Sequence, residues 1–158
     1  MSVIDIELAM KHLLAEDEDK ALVQAQLDAA EEAAMQFLSR RFFADQAALD
    51  LAKAGILDRI QQAKAANAEA IEVANAEVDH GVRCRLLEHA RSALADALEE
   101  VDAIAYGVII NPAITAACLL KLGHLFANRE EVITDGSVAE LPLASRALLM
   151  PYRVRMGV

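Results

Sequence analysis

Hydrophobic residues in the first part of the chain recur every three or four positions, which is the period of an amphipathic helix. This spacing predicts a first helix over about 5–15. Its buried face would carry Ile6, Ala9 or Met10, and Leu13.

The acidic run 16–19 predicts a turn followed by the start of a second helix, because carboxylates stabilise the positive end of the helix dipole. The helix should end near Arg40 and Arg41, whose cations suit the carbonyl end. The predicted buried face keeps the same spacing: Leu22, Ala25 or Gln26, Ala29 or Ala30, Ala33 or Ala34, and Phe37.

Alanine dominates between residues 44 and 106, with larger apolar residues widely spaced. All three prolines come later in the chain, and proline is the strongest helix breaker. We therefore predict an Ala-rich helical hairpin with arms 45–77 and 82–105, separated near His80 and Gly81. A flexible, partly helical insert is the alternative. The second arm has a near-heptad seam of Leu86 or Leu87, Ala90, Leu94, Ala97 or Leu98, and Val101.

The last third begins with a short apolar segment, 107–110, which we expect to be extended. Asn111 is then a helix cap, and Pro112 suits the first helical position because its missing N–H is not needed there. The helix Pro112–Ala127 is apolar nearly all round, which is typical of a helix buried on most sides. Because Lys121 and His124 interrupt it, we interpret it as the central core helix and expect no membrane span.

The end of the chain is more polar. Residues 128–138 predict a turn region, and a last short helix should begin at Leu141-Pro142 and end at Leu149 or Met150. Pro151 stops that helix, and 152–158 would form an extended tail.

These elements predict an all-α protein with one domain over residues 1–158. A compact helical core would comprise 1–43 and 107–158, with the Ala-rich helical hairpin inserted at 44–106 and an extended C-terminal tail.

The formal net charge of −10 disfavours binding to a free phosphate backbone, which requires Lys and Arg to displace counterions. The charge is uneven: residues 1–110 hold 21 acidic and 10 basic residues, whereas 111–158 hold 4 and 5. The last third could therefore contact an acidic partner, or the surface could simply be uneven.

Candidate chemistry is sparse. No serine lies in a nucleophile motif, and no two glycines are spaced for a phosphate loop. His80, Cys84 and His89 are the nearest approach to a metal or Cys/His site, but Gly81 should break the helix between them and a fourth ligand is missing. We expect no enzyme activity, no cofactor and no metal.

Interaction surface is what remains. Arg129 and Glu130 directly follow the core helix, and Tyr152, Arg153 and Arg155 lie in the tail. A tail with aromatic and arginine residues could dock on a neighbouring molecule as a hook. A frayed terminus is the alternative.

At these residues the chain resembles the head–tail connector (adaptor) proteins of long-tailed bacteriophages. The resemblance lies in two blocks. The first block comprises residues 6–13, the acidic run 16–19, and the predicted second helix, which ends at Phe37-Leu-Ser-Arg-Arg41. The second begins at Asn111-Pro-Ala-Ile and reaches Gly123-His-Leu-Phe-Ala-Asn-Arg-Glu130. It ends with Leu148-Leu-Met-Pro-Tyr-Arg153. Phe126 replaces a tyrosine of the family signature, and 44–106 departs from the shortest members.

The resemblance implies a closed homo-oligomeric ring of about twelve subunits. The ring would dock below the portal protein and contact a head-closure or tail protein, with genomic DNA passing through without sequence-specific binding. It would be made in the host bacterial cytoplasm and reside in the virion at the head–tail junction. The alternative is a helical coiled-coil regulatory or adaptor protein acting as a dimer.

Overall fold

A computed structural model describes residues 2–128 and 143–154, and the all-α prediction is confirmed. In chain order the elements are α1 (Ile6–Leu13), a 3-10 turn (Asp17–Asp19), α2 (Lys20–Leu38), β1 (Phe42–Phe43), α3 (Gln46–Ala54), α4 (Ile56–Ala76), α5 (His80–Ala105), β2 (Val108–Ile109), α6 (Pro112–Ala127), α7 (Leu143–Leu149) and a second 3-10 turn (Met150–Tyr152).

The chain divides into two compact units, one of 1–45 with 108–158 and the other of 46–107. The division falls beside the two points where alanine content changes along the sequence. We call these the first and the second unit.

Helix α6 is the central element of the first unit, where it packs against α1, α2 and α7. It has the predicted bounds and the predicted start, because the Asn111 side chain accepts hydrogen bonds from Ala113 N and Ile114 N, each at 3.0 Å. Its buried residues are Ile114, Ala117, Cys118, Leu119 and Leu122. One side nevertheless faces solvent, and Leu120 on that side is 45% exposed.

The large residues on the buried face of α2 lie one position after the predicted ones, and Leu27 is buried where Ala25 or Gln26 was predicted. Val23 and Leu38 are fully buried, whereas Leu22 is exposed and Phe37 is half-buried. The reason is Glu31, which lies in the middle of the buried face. A charged residue there made the true face look solvent-exposed, so the prediction selected the neighbouring one.

Glu31 is buried because it holds the N-terminal segment. Val3 N donates to Glu31 Oε2 at 2.9 Å, and Ile4 N donates to Oε1 at 2.8 Å. Burial raises the pKa of Glu31, although the two N–H donors oppose this effect. The carboxylate thereby satisfies two backbone donors beside the hydrophobic core.

The short strands join the two parts of the first unit. They pair in parallel, with Phe42 beside Val108 and Phe43 beside Ile109. Ile110 N also donates to Phe43 O at 2.9 Å. The extended segment at 107–110 was predicted, but its partner strand was not, because two residues are too few to show strand alternation.

The second unit contains α3, α4 and α5. The predicted arm 45–77 is two helices, because the chain breaks at Gly55, whose backbone (φ −83°, ψ 0°) leaves the helical region. The break predicted near His80 and Gly81 is present, but it lies slightly earlier, at 77–79. Asp79 caps α5 by accepting from Val82 N at 2.9 Å, so His80 begins the helix and Gly81 lies within its first turn.

Helices α4 and α5 form the long Ala-rich hairpin, with 77–79 as its connection. The seam between them buries Ala74, Ala90 and Val101, at 0%, 5% and 6% exposure. Small residues at a helix contact let the two axes approach closely. The hairpin is therefore held by many small contacts and few large side chains.

Candidate functional site

The candidate site lies where the C-terminal segment meets the end of α2. It consists of Phe37, Arg40, Arg146, Tyr152 and Arg153, which we call the arginine cluster. All five residues belong to the first unit.

The C-terminal end of α2 positions Phe37 and Arg40 in the cluster. Ser39 adopts the left-handed conformation (φ 55°), and the helix closes with hydrogen bonds from Ser39 N to Gln36 O and from Arg40 N to Met35 O, at 3.2 and 3.1 Å. This pair of bonds is a Schellman motif, which satisfies the last helix carbonyls and reverses the chain. Phe37 and Arg40 thereby lie on either side of a sharp helix end.

Hydrogen bonds and ring contacts attach the C-terminal segment to this end. Arg40 Nη1 donates to Tyr152 O at 3.0 Å, and Val154 N donates to Leu38 O at 3.2 Å. The Arg153 guanidinium carbon lies 4.9 Å from the centroid of the Phe37 ring. This is a cation–π distance, worth about 0.5–2 kcal/mol depending on desolvation.

Positive charge is concentrated here. The Arg146 guanidinium carbon is 5.5 Å from the centroid of the same Phe37 ring, so two cations share one aromatic residue. Burial lowers the pKa of Arg40. Arg153 Nε is buried without a hydrogen-bond partner among the described residues. Such a cluster suits a carboxylate, which can bind two guanidinium N–H groups at once.

Only part of the predicted interface falls in the described ranges. Tyr152 and Arg153 are in the cluster and half-buried, and Tyr152 packs against the hydrophobic core. The predicted candidates Arg129, Glu130 and Arg155 lie outside the residues that the structure describes. The tail was predicted to start one residue too early, because Tyr152 closes the second 3-10 turn and extended backbone begins at Arg153.

Sequence reasoning missed the roles of Phe37 and Arg40. Phe37 was assigned to the core by its spacing, and Arg40 to the helix dipole by its charge. One signal in the sequence could have indicated these roles. An aromatic residue precedes an arginine by three positions at a predicted helix end, and the C-terminal tail contains further arginines that could stack on the ring.

The His80–Cys84 pair is closer than predicted because both residues lie on α5. Cys84 Sγ is 3.7 Å from His80 Nε2, and both side chains are exposed. His89 lies elsewhere, in a groove beside Ala66 and Val73. Within 2–128 and 143–154, no group of three His, Cys, Asp or Glu residues could hold a metal ion.

Comparisons of the chain with protein-family models, curated proteins and solved structures found no match. In the part of the chain that the structure describes, every helix is too short or too polar to cross a membrane.

Proposed function

We propose that this chain is a structural subunit of a bacteriophage head–tail connector ring, which docks below the portal and joins the capsid to head-closure or tail proteins. In this role it has no catalytic function, and DNA contacts it only as passing genome. The ring would comprise about twelve copies related by a rotation axis.

One observation carries the proposal. All blocks of the family resemblance fall in the first unit, and the residues that depart from the short family members, 44–106, match the second unit, 46–107, to within two residues. Helix α6, which carries the Asn111–Asn128 part of the resemblance, packs against α7, which precedes the Tyr152-Arg153 part. Blocks that are distant in sequence therefore belong to one core, as expected of a shared domain.

The arginine cluster provides a physical reason for assembly. A ring requires a heterologous contact, in which one face of a subunit meets a different face of its neighbour. The cluster is cationic, whereas the protein as a whole has a net charge of −10. An acidic surface on the next copy or on the portal would complement it.

The proposal is tested by light scattering and negative-stain electron microscopy of the chain alone and mixed with the portal protein of the same phage. We expect ring-shaped particles of about twelve copies. Chains that remain at two copies or fewer even with the portal would contradict the connector role and favour the dimeric coiled-coil adaptor.

Deletions in the C-terminal tail, residues 152–158, test whether the tail contributes to the contact between subunits or with the portal. Removing 152–158 should weaken binding to the portal or to the neighbouring subunit, but it also removes the contacts of Tyr152 and Arg153 with the core. Removing only 155–158 preserves those contacts. We expect this shorter deletion to lower the yield of rings while the circular dichroism stays unchanged. Unchanged assembly after both deletions would show that the tail is not an assembly element.

A further inference from the structure

The helical hairpin has a continuous groove along one side. Two adjoining cavities of about 430 and 320 Å³ lie between α4 and α5, and Ala66 lines both of them. On α4 the lining residues are spaced three or four apart, so they follow one side of the helix: Arg59, Gln62, Ala66, Glu69 and Val73. We call this space the hairpin groove.

The half of the hairpin groove between Ala66 and Val73 has mostly apolar walls and is open to solvent. Val73 is 62% exposed, and it lines the same part of the groove as Leu86. Between the two ends the walls are alanine, including Ala66 and Ala93. Alanine walls let another helix approach closely, since the distance between packed helices depends on the side chains at the contact.

The charged residues on the rims form a self-complementary pattern. At one end Arg59 stands on the α4 rim and Glu100 on the α5 rim. At the other end Glu69 stands on the α4 rim and His89 on the α5 rim. Each end therefore has an acidic residue on one rim and a basic residue on the other. A uniformly acidic partner would meet repulsion at each end, from Glu100 and from Glu69.

We propose that the hairpin groove binds the same groove of a second copy of this chain, with a twofold axis parallel to the helices. This rotation places α4 of each copy opposite α5 of the other. Arg59 then faces Glu100 of the other copy, and Glu69 faces His89, whose ring can donate a hydrogen bond to the carboxylate. Each contact occurs twice, and Val73 meets Leu86 between the copies.

The product is a four-helix bundle in which all neighbouring helices are antiparallel. Such a twofold contact closes at two copies, whereas a ring needs a contact that repeats. The inference therefore does not rest on the proposed connector function. It adds a second interface, located in the second unit.

Paired charge variants provide the test. Arg59→Glu leaves two acidic residues at one end of the groove, and Glu100→Arg leaves two arginines. Either variant alone should repel its own copy at both equivalent sites, and we expect its dimer dissociation constant to rise about tenfold or more. An equimolar mixture places a carboxylate opposite an arginine at both sites, so pairing should return close to the wild-type level.

Sedimentation equilibrium measures the association, and circular dichroism confirms that each variant keeps its helices. Lys64→Glu and Glu99→Arg are matched controls, because they make the same charge changes at exposed positions that do not line the groove. They should pair like the wild type. The inference is overturned if the wild type does not pair through this surface, if the controls disrupt pairing equally, or if the mixture fails to recover.

Discussion

Glu31 shows at the scale of a single residue how a charged side chain can belong to a core. It is 2% exposed, and both of its carboxylate oxygens accept backbone N–H groups. Sequence spacing alone placed the neighbouring face of α2 inside, because nothing in the pattern distinguishes a buried carboxylate with two donors from a solvated one. The information lies in Val3 and Ile4, which are distant in sequence.

Glu31→Ala should lower the free energy of unfolding by about 2–5 kcal/mol, because it leaves two buried donors unsatisfied and opens a cavity. Glu32→Ala is the matched control on the same helix. It removes the partly exposed ion pair with Arg41, which is worth about 1 kcal/mol or less, and an exposed hydrogen bond from Gln36 Nε2. Equal losses in chemical denaturation would contradict the role of Glu31.

The pH dependence has a definite sign. Because burial raises the pKa of Glu31 above its ordinary value of 4.5, the folded chain holds this proton more tightly than the unfolded chain. The part of its contribution that comes from tighter proton binding is complete below pH 4.5 and is lost as pH rises through the raised pKa, whereas the two backbone hydrogen bonds remain. The stability difference between the wild type and Glu31→Ala should therefore shrink as pH increases from that value.

At the scale of elements, the sequence predicted a helix boundary best where a single local contact determines that boundary. The start of α6 was predicted correctly because Asn111 and Pro112 are adjacent to it and act within one turn. In the hairpin, the break at Gly55 was missed and the second arm was predicted to start two residues late, at Val82. The reason is that a glycine can either end a helix or lie within one. Gly55 breaks the helix, whereas Gly81 lies within α5 behind the Asp79 cap. Of the arginine cluster, Tyr152 and Arg153 were predicted as interface residues, but Phe37 and Arg40 were not. Their role depends on a tertiary contact, because the sequence does not show which helix end the tail reaches.

The hairpin should be sensitive to volume at its seam. Ala74 is fully buried, so Ala74→Leu should overpack the contact and lower stability by about 1–3 kcal/mol. Ala68→Leu adds the same volume at an exposed position of α4, and it should change stability by about 0.5 kcal/mol or less. Thermal melts followed by circular dichroism compare the two. A similar loss in both variants would mean that the seam is not tightly packed.

At the scale of the whole molecule, the two units should be separable. If 46–107 is replaced by a short Gly/Ser linker, the first unit keeps its own core and the β1–β2 pair. We expect the shortened chain to unfold cooperatively, as single cores of this kind do. Calorimetry would show one transition. A broad, non-cooperative melt would show that the first unit needs the second in order to fold.

The parallel strand pair also bears on how such a chain can change in evolution. Phe42 and Val108 are neighbours in space, so everything between them is a loop whose ends are already joined. The entropy of closing a loop grows only with the logarithm of its length, and doubling the length costs about 0.6 kcal/mol. Insertions or deletions of whole helical turns at this point would therefore leave the core nearly undisturbed. Related chains with very different hairpin lengths, or none, could share one conserved fold.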